Sequence, residues 1–179
     1  HVVVVTRLPA FRFILKHREE LVPNVPIVYS VVSSDELKGF ELPPNVFGAT
    51  VDFYPEKTIE LARVLHPGFK RALIIAGASP FDKEWATKIE TVFAPDQSQL
   101  PIEHWRGLTS EEMISRLRKD NTGTVIFTMG MMLDGSGKRR IPRSVMKEAA
   151  EASRAPVYPF VSAGVGVGTV GTYAPRCEE

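Results

Sequence analysis

One cysteine in 179 residues, Cys177, leaves no disulfide framework and no thiolate cluster for a metal. No run of 18 or more apolar residues exists and no charged-then-apolar leader precedes His1, so no direct membrane insertion by this segment is expected. Net charge is nearly absent, since 22 basic side chains face 21 acidic ones, and the resulting +1 gives no field to draw nucleic acid. His17, His66 and His104 are far apart, with no H-x-x-x-H pair, and no G-x-S-x-G elbow occurs. A phosphoacceptor domain would carry acidic residues after its first strand, where this chain has Thr6 and Arg7. The expectation is therefore no metal, no cofactor and no catalytic set.

What is present is 44% hydrophobic residues, enough for one core or two small lobes. Residues 71–82, RALIIAGASPFD, set the plan. Leu73, Ile74, Ile75 and Ala76 form the short apolar run of a strand covered on both faces, the mark of a parallel sheet. After Gly77, Ser79 is placed to cap a helix with Pro80 at its first position and Asp82 near its positive end. Ligands meet open parallel sheets at carboxyl-terminal strand ends, so this elbow is the first place to look for a site.

The plan recurs along the chain. Residues 2–5 read as a buried β-branched strand, followed from Pro9 to about Leu21 by a helix with Phe11, Ile14, Leu15 and Arg18 at helical spacing. Residues 26–32 are the next strand. Residues 41–52, with two prolines and a glycine, read as an extended connection that hinges into a second unit at 48–52. A helix then runs from Pro55 to Leu65 with Ile59, Ala62 and Leu65 on one face. Beyond the strand at 71–76, the helix 80–94 spaces Phe81, Trp85, Ile89 and Phe93 four apart, and Pro95 stops it. Strands follow at 101–105, 124–128 and 156–160, with a capping box at Thr109 to Glu112 and a helix opened by Pro142 and running to about Ala152. Such alternation predicts an α/β chain with parallel sheet and right-handed crossovers.

Two glycine-rich stretches invite nucleotide readings. Residues 166–171 match G-x-G-x-x-G, but that motif requires a helix directly after it and an acidic residue about 20 positions on, so a bend is the better reading. Residues 133–140, LDGSGKRR, satisfy neither Walker nor calcium-loop spacing and read as a solvent turn. The basic run Lys138, Arg139, Arg140 and Arg143 then reads as a solvated helix start. Trp85 and Phe93 read as core, while Phe81, at a helix start, stays open as a stacking surface.

In order and spacing, GATVD, RALIIAGASPFD, TVIFT and APVYPFVSAGVGVGTVGTY resemble the type I periplasmic-binding fold, and within it the ABC-transporter substrate-binding-like family. LPPNVFG, LHPG, GASPFD, LDGSGK and SRAPVYPF are similar to versions that form extracytoplasmic sensor regions of bacterial histidine kinases. The resemblance implies two lobes around a ligand cleft: 1–50 as the latter part of a first, incomplete lobe, 51–168 as the second, and 169–179 as a crossing segment and tail. With His1 opening directly on a strand, the natural protein is expected to continue upstream. Cleft-facing strand ends would be Thr6, Arg7, Ser30, Val31, Asp52, Ser79, Pro80, Phe81, Thr128, Met129, Val161 and Ser162. Hydroxyls, exposed amides and helix amino termini there suit a small polar or anionic solute, a carboxylate for instance, which Arg7 would pair. The implied function is a noncatalytic small-molecule sensor domain on the periplasmic face of a bacterial inner membrane, coupled to a signalling region of the same full-length protein, with a homodimer among its assemblies. A transporter solute-binding protein is the alternative, and a nucleotide-using α/β enzyme ranks below both.

Overall fold

β-branched and aromatic residues recurring at period two build the sheet at the start of the chain. In the computed structural model, which describes residues 1–94, 100–119 and 121–174, the chain divides into two compact units, His1–Phe53 and Tyr54–Ala174. Pro95 as a helix stop, Cys177 and the end of the tail lie outside the described residues.

The first unit contains β1 (Val3–Thr6), α1 (Arg7–Lys16), α2 (Arg18–Leu21), β2 (Ile27–Val32), α3 (Ser34–Leu37) and β3 (Val46–Thr50). Its parallel sheet has the order β1-β2-β3. Phe11 and Ile14 of α1 pack on Ile27, Tyr29 and Val46, with the Phe11 and Tyr29 ring centres 5.0 Å apart. Three expectations are corrected here. β1 is not covered on both faces: Val4 is 64% exposed, and in register across the sheet it leads through Val28 to Phe47, 56% exposed. The first helix is not continuous to Leu21, because the chain leaves helical geometry at His17 (φ −106°, ψ 18°) and Arg18 turns to donate to Asn45. Residues 41–52 are not simply a connection, since they contain β3. The prolines precede that strand. Gly48 lies within it opposite Tyr29, where a Cβ would overlap the Tyr29 carbonyl and ring.

The second unit runs α4 (Pro55–Leu65), β4 (Arg71–Ala76), α5 (Pro80–Phe93), β5 (Ile102–Arg106), α6 (Ser110–Leu117), β6 (Thr124–Thr128), α7 (Pro142–Ala152) and β7 (Val157–Pro159), then a 3-10 turn at Ser162–Gly164. The sheet order is β5-β4-β6-β7, all parallel. β4 is central and buried on both faces, which explains its unbroken apolar run. Leu73 and Ile75 join Ile126 and Val157 beneath Met113, Leu117, Val145 and Ala149 of α6 and α7. On the opposite face Phe93 of α5 meets Phe127, 5.4 Å between ring centres, and Phe127 meets Tyr158. Each such side chain contributes about 1.5–3 kcal/mol by leaving water.

Pro at the first turn starts α4, α5 and α7. Capping boxes start α3 (Ser33 with Glu36), α5 (Ser79 with Asp82) and α6 (Thr109 with Glu112), each cap contributing about 1 kcal/mol. Leu65, expected on the inner face of α4, is half exposed in the last turn before His66.

Candidate functional site

In the first unit, Thr6 ends β1 and is in register with Ser30 of β2. The residues immediately following, Arg7 and Val31, both hold left-handed backbone, φ 70° and 55°. Neither is a residue that accepts this region readily, and for β-branched Val31 it costs on the order of 1–3 kcal/mol. At this point β2 departs from regular pairing with β3, between Tyr29 and Val32. The bulge turns Val31 outward, 43% exposed. Asp52, just beyond β3, is committed within the unit: its carboxylate accepts the Ser34 amide and hydroxyl, both at 2.8 Å.

In the second unit, Ser79, Pro80 and Phe81 form the turn from β4 into α5. The Ser79 hydroxyl accepts the Asp82 amide at 3.0 Å, as a helix cap does, and Phe81 stands edge-on to Trp85 at 6.2 Å. Thr128 is buried, and its hydroxyl donates to the Ile75 carbonyl while accepting the Gly130 amide, so it fastens β6 to β4. Met129 follows, half-buried, with Gly130 at φ 77°. Val161 and Ser162 follow β7, and Ser162 opens the 3-10 turn. A water-sized cavity beneath this edge is lined by Ile74, Trp85, Thr128, Gly130 and Phe160.

Two carboxylates organise this edge, and their long-range partners give no local signal in the sequence. Asp82, 4% exposed, accepts the amides of Ser79 at 3.1 Å, Met132 at 3.2 Å and Leu133 at 3.3 Å. Asp134, 1% exposed, accepts the Ser136 hydroxyl and amide, the Lys138 amide and the Ser110 hydroxyl. The Ser136 hydroxyl bond is the chief reason that the Asp134 carboxyl lies below its usual range, with burial opposing it. The segment 133–140 is therefore a built loop rather than a solvent turn. The sequence signal available was Asp followed two residues on by Ser, an Asx turn. Its basic run is likewise not all solvated: Arg140 pairs with Glu148 at 2.5 Å and Arg143 holds the Ala163 carbonyl.

No family model matches the sequence, and no curated protein matches it. Solved structures do. An ABC domain in complex with L-Trp from Streptococcus pneumonia superposes with a TM-score of 0.58 at 19% identity, over 94% of this chain and 57% of its own. A conserved domain protein from Vibrio cholerae gives 0.57 at 18%, over 95% and 57%. The fold is of the type I periplasmic-binding kind. An extracellular ligand-binding receptor from Verminephrobacter eiseniae matches with 0.54 at 11%, over 90% of this chain and 44% of its own. The present chain thus spans little more than half the length of the first two chains with this fold.

Within the periplasmic-binding-type fold, residues 166–171 form no phosphate-binding turn followed by a helix among the described residues. Gly166 and Gly168 take left-handed backbone, and the Val170 amide returns to the Val157 carbonyl. Also among the described residues, no three His, Cys, Asp or Glu side chains converge, and no helix is long and apolar enough to cross a membrane.

Proposed function

We propose that the chain recognises a small organic solute without transforming it, through strand-end residues of two lobes, 1–50 and 51–168, that close about 48–52. The observation that carries this is the pair of left-handed residues, Arg7 and Val31, each directly after a member of the registered pair Thr6 and Ser30. A fold keeps strain at two neighbouring positions where it uses the backbone that the strain sets, here the main chain beside Thr6 and Ser30, with Arg7 as the cation that would meet a carboxylate. Binding a solute between lobes closes them only as far as it favours the closed state.

Two roles share this site. Resemblance in the short segments LPPNVFG, LDGSGK and SRAPVYPF supports a periplasmic sensor domain working with a histidine-kinase region. The ABC-domain neighbour supports a transporter solute-binding protein equally. They separate by what the intact gene encodes or adjoins: a kinase region in the same polypeptide decides for the sensor, a neighbouring permease against it.

Calorimetry with L-tryptophan, the other amino acids, small aromatic carboxylates and nucleotides tests the binding. Saturable binding of a carboxylate solute, weakened at least tenfold by Arg7→Ala, is the expected result. Tight nucleotide binding abolished by Gly168→Val would replace this reading with that of a nucleotide-using enzyme.

A further inference from the structure

Among the described residues three capping boxes satisfy the first turn of a helix, and one of the three uses Asp as its acidic partner. The boxes at α3 and α6 close with Glu36 and Glu112, the usual choice because the longer arm reaches back to the cap amide. Asp82 does more than cap. The same carboxylate that accepts the Ser79 amide also accepts Met132 and Leu133, 50 and 51 residues further along. A main-chain bond of 2.7 Å from the Ala78 amide to the Leu133 carbonyl runs beside it. Gly77 closes the arrangement, because a Cβ there would overlap both the Asp82 carboxylate and the Leu133 carbonyl. Two loops, 77–81 and 129–133, are thereby held at one fixed spacing by a buried charge.

We propose that Asp82 is a positioning residue for solute recognition: it sets the distance between the loop carrying Ser79 and Phe81 and the loop carrying Met129 before any solute arrives. This rests on the solute-binding reading above. Preformed spacing matters because a site that must order its loops on binding loses affinity to that ordering. A cap alone does not require Met132 and Leu133, so the capping and positioning roles of Asp82 are separable. Asp82→Glu keeps the charge and the preferred capping partner but lengthens the arm that meets residues 132 and 133.

The experiment compares wild type, Asp82→Glu, Asp82→Asn and Leu117→Ala, the last a buried change in the final turn of α6 that lowers stability and leaves the hydrogen bonds of Asp82 in place. Amide hydrogen exchange is read residue by residue, and affinity by calorimetry with L-tryptophan within a panel of the twenty amino acids. In Asp82→Glu, exchange at Met132 and Leu133 should quicken at least tenfold while Ser79 stays protected, and affinity should fall at least tenfold. Leu117→Ala should leave affinity within twofold. Equal affinity loss in Leu117→Ala and Asp82→Glu, or unchanged exchange at Met132 and Leu133, overturns the proposal. Should wild type bind neither the amino acids nor the small aromatic carboxylates, the solute-binding reading fails by itself, and the exchange rates alone decide whether Asp82 fixes the two loops. Should Asp82→Asn not fold, Asp82→Glu carries the same comparison.

Discussion

The carboxylate of Asp134 accepts the hydroxyl of Ser110 at 3.3 Å, which ties the first turn of α6 to the loop before α7. Asp134→Asn should cost about 1–3 kcal/mol at neutral pH, since the hydrogen bonds removed end on a charged acceptor. The folded carboxyl titrates below its ordinary 3.8. In acid the unfolded chain therefore binds the proton first. The contribution of Asp134 is complete above 3.8 and is lost as pH falls through its lower folded value. Urea unfolding of both proteins from pH 7 to pH 2 should show their difference shrinking only below that point; a constant difference would refute the assignment.

His104 on β5 sits 3.1 Å from Glu90, which also pairs with Arg106. Burial holds its imidazole below the usual 6.5. The unfolded state thus takes up the proton at a higher pH than the folded state, and stability should decline as pH drops from about 6.5 through the folded value. His104→Gln should flatten that part of the stability profile. A wild-type profile that rises on acidification over this interval would show that the Glu90 attraction outweighs burial.

Gly77→Ala forces a Cβ into the Asp82 carboxylate and the Leu133 carbonyl, an overpacking expected to cost about 1–3 kcal/mol. Gly171→Ala meets nothing within 4 Å and serves as the control. Equal melting temperatures for the two variants would contradict the close approach at Gly77.

The Tyr158 hydroxyl is buried, with no hydrogen-bond partner among the described residues, and its ring lies edge-on to His66 at 5.8 Å. Burial also raises its pKa. Replacing an unsatisfied buried hydroxyl by hydrogen removes a desolvation cost, so Tyr158→Phe should leave stability unchanged or raise it by about 1 kcal/mol. A loss above that size in thermal unfolding would reveal a partner for the hydroxyl.

Val4 and Phe47 lie on the same uncovered face of the first sheet. Exposed apolar patches promote association. The double variant Val4→Thr, Phe47→Ser should shift sedimentation at high concentration toward the monomer with stability changed by no more than about 0.5 kcal/mol per site.

Periodic and capped elements were readable from the residues. Pro55 and Pro142 mark helix starts, Ser79 and Thr109 cap as their spacing requires, and the runs at 71–76 and 124–128 are strands because a parallel sheet buries both their faces. β3 was hidden because Pro43, Pro44 and Gly48 are read as breakers, whereas the prolines lie before the strand and the glycine makes room for Tyr29. The apolar run at 2–5 reads as covered, but β1 is a sheet edge with one bare face. The left-handed backbone at Arg7 and Val31 has no residue-type signature. The bonds from Met132 and Leu133 to Asp82 and from Ser110 to Asp134 are set by tertiary contact over tens of residues, beyond the reach of local spacing.

The strand orders also set a timetable for synthesis. In the first unit β1 and β2 each pair with the next strand to emerge, so its sheet is complete once Thr50 has been made. In the second, Arg71 at the start of β4 contacts Thr124, 53 residues later. A nascent chain therefore carries RALIIA with one edge unpaired until β6 leaves the ribosome. Over that interval an apolar strand edge stands open to pairing with another chain, a route to association distinct from the bare face of the first sheet.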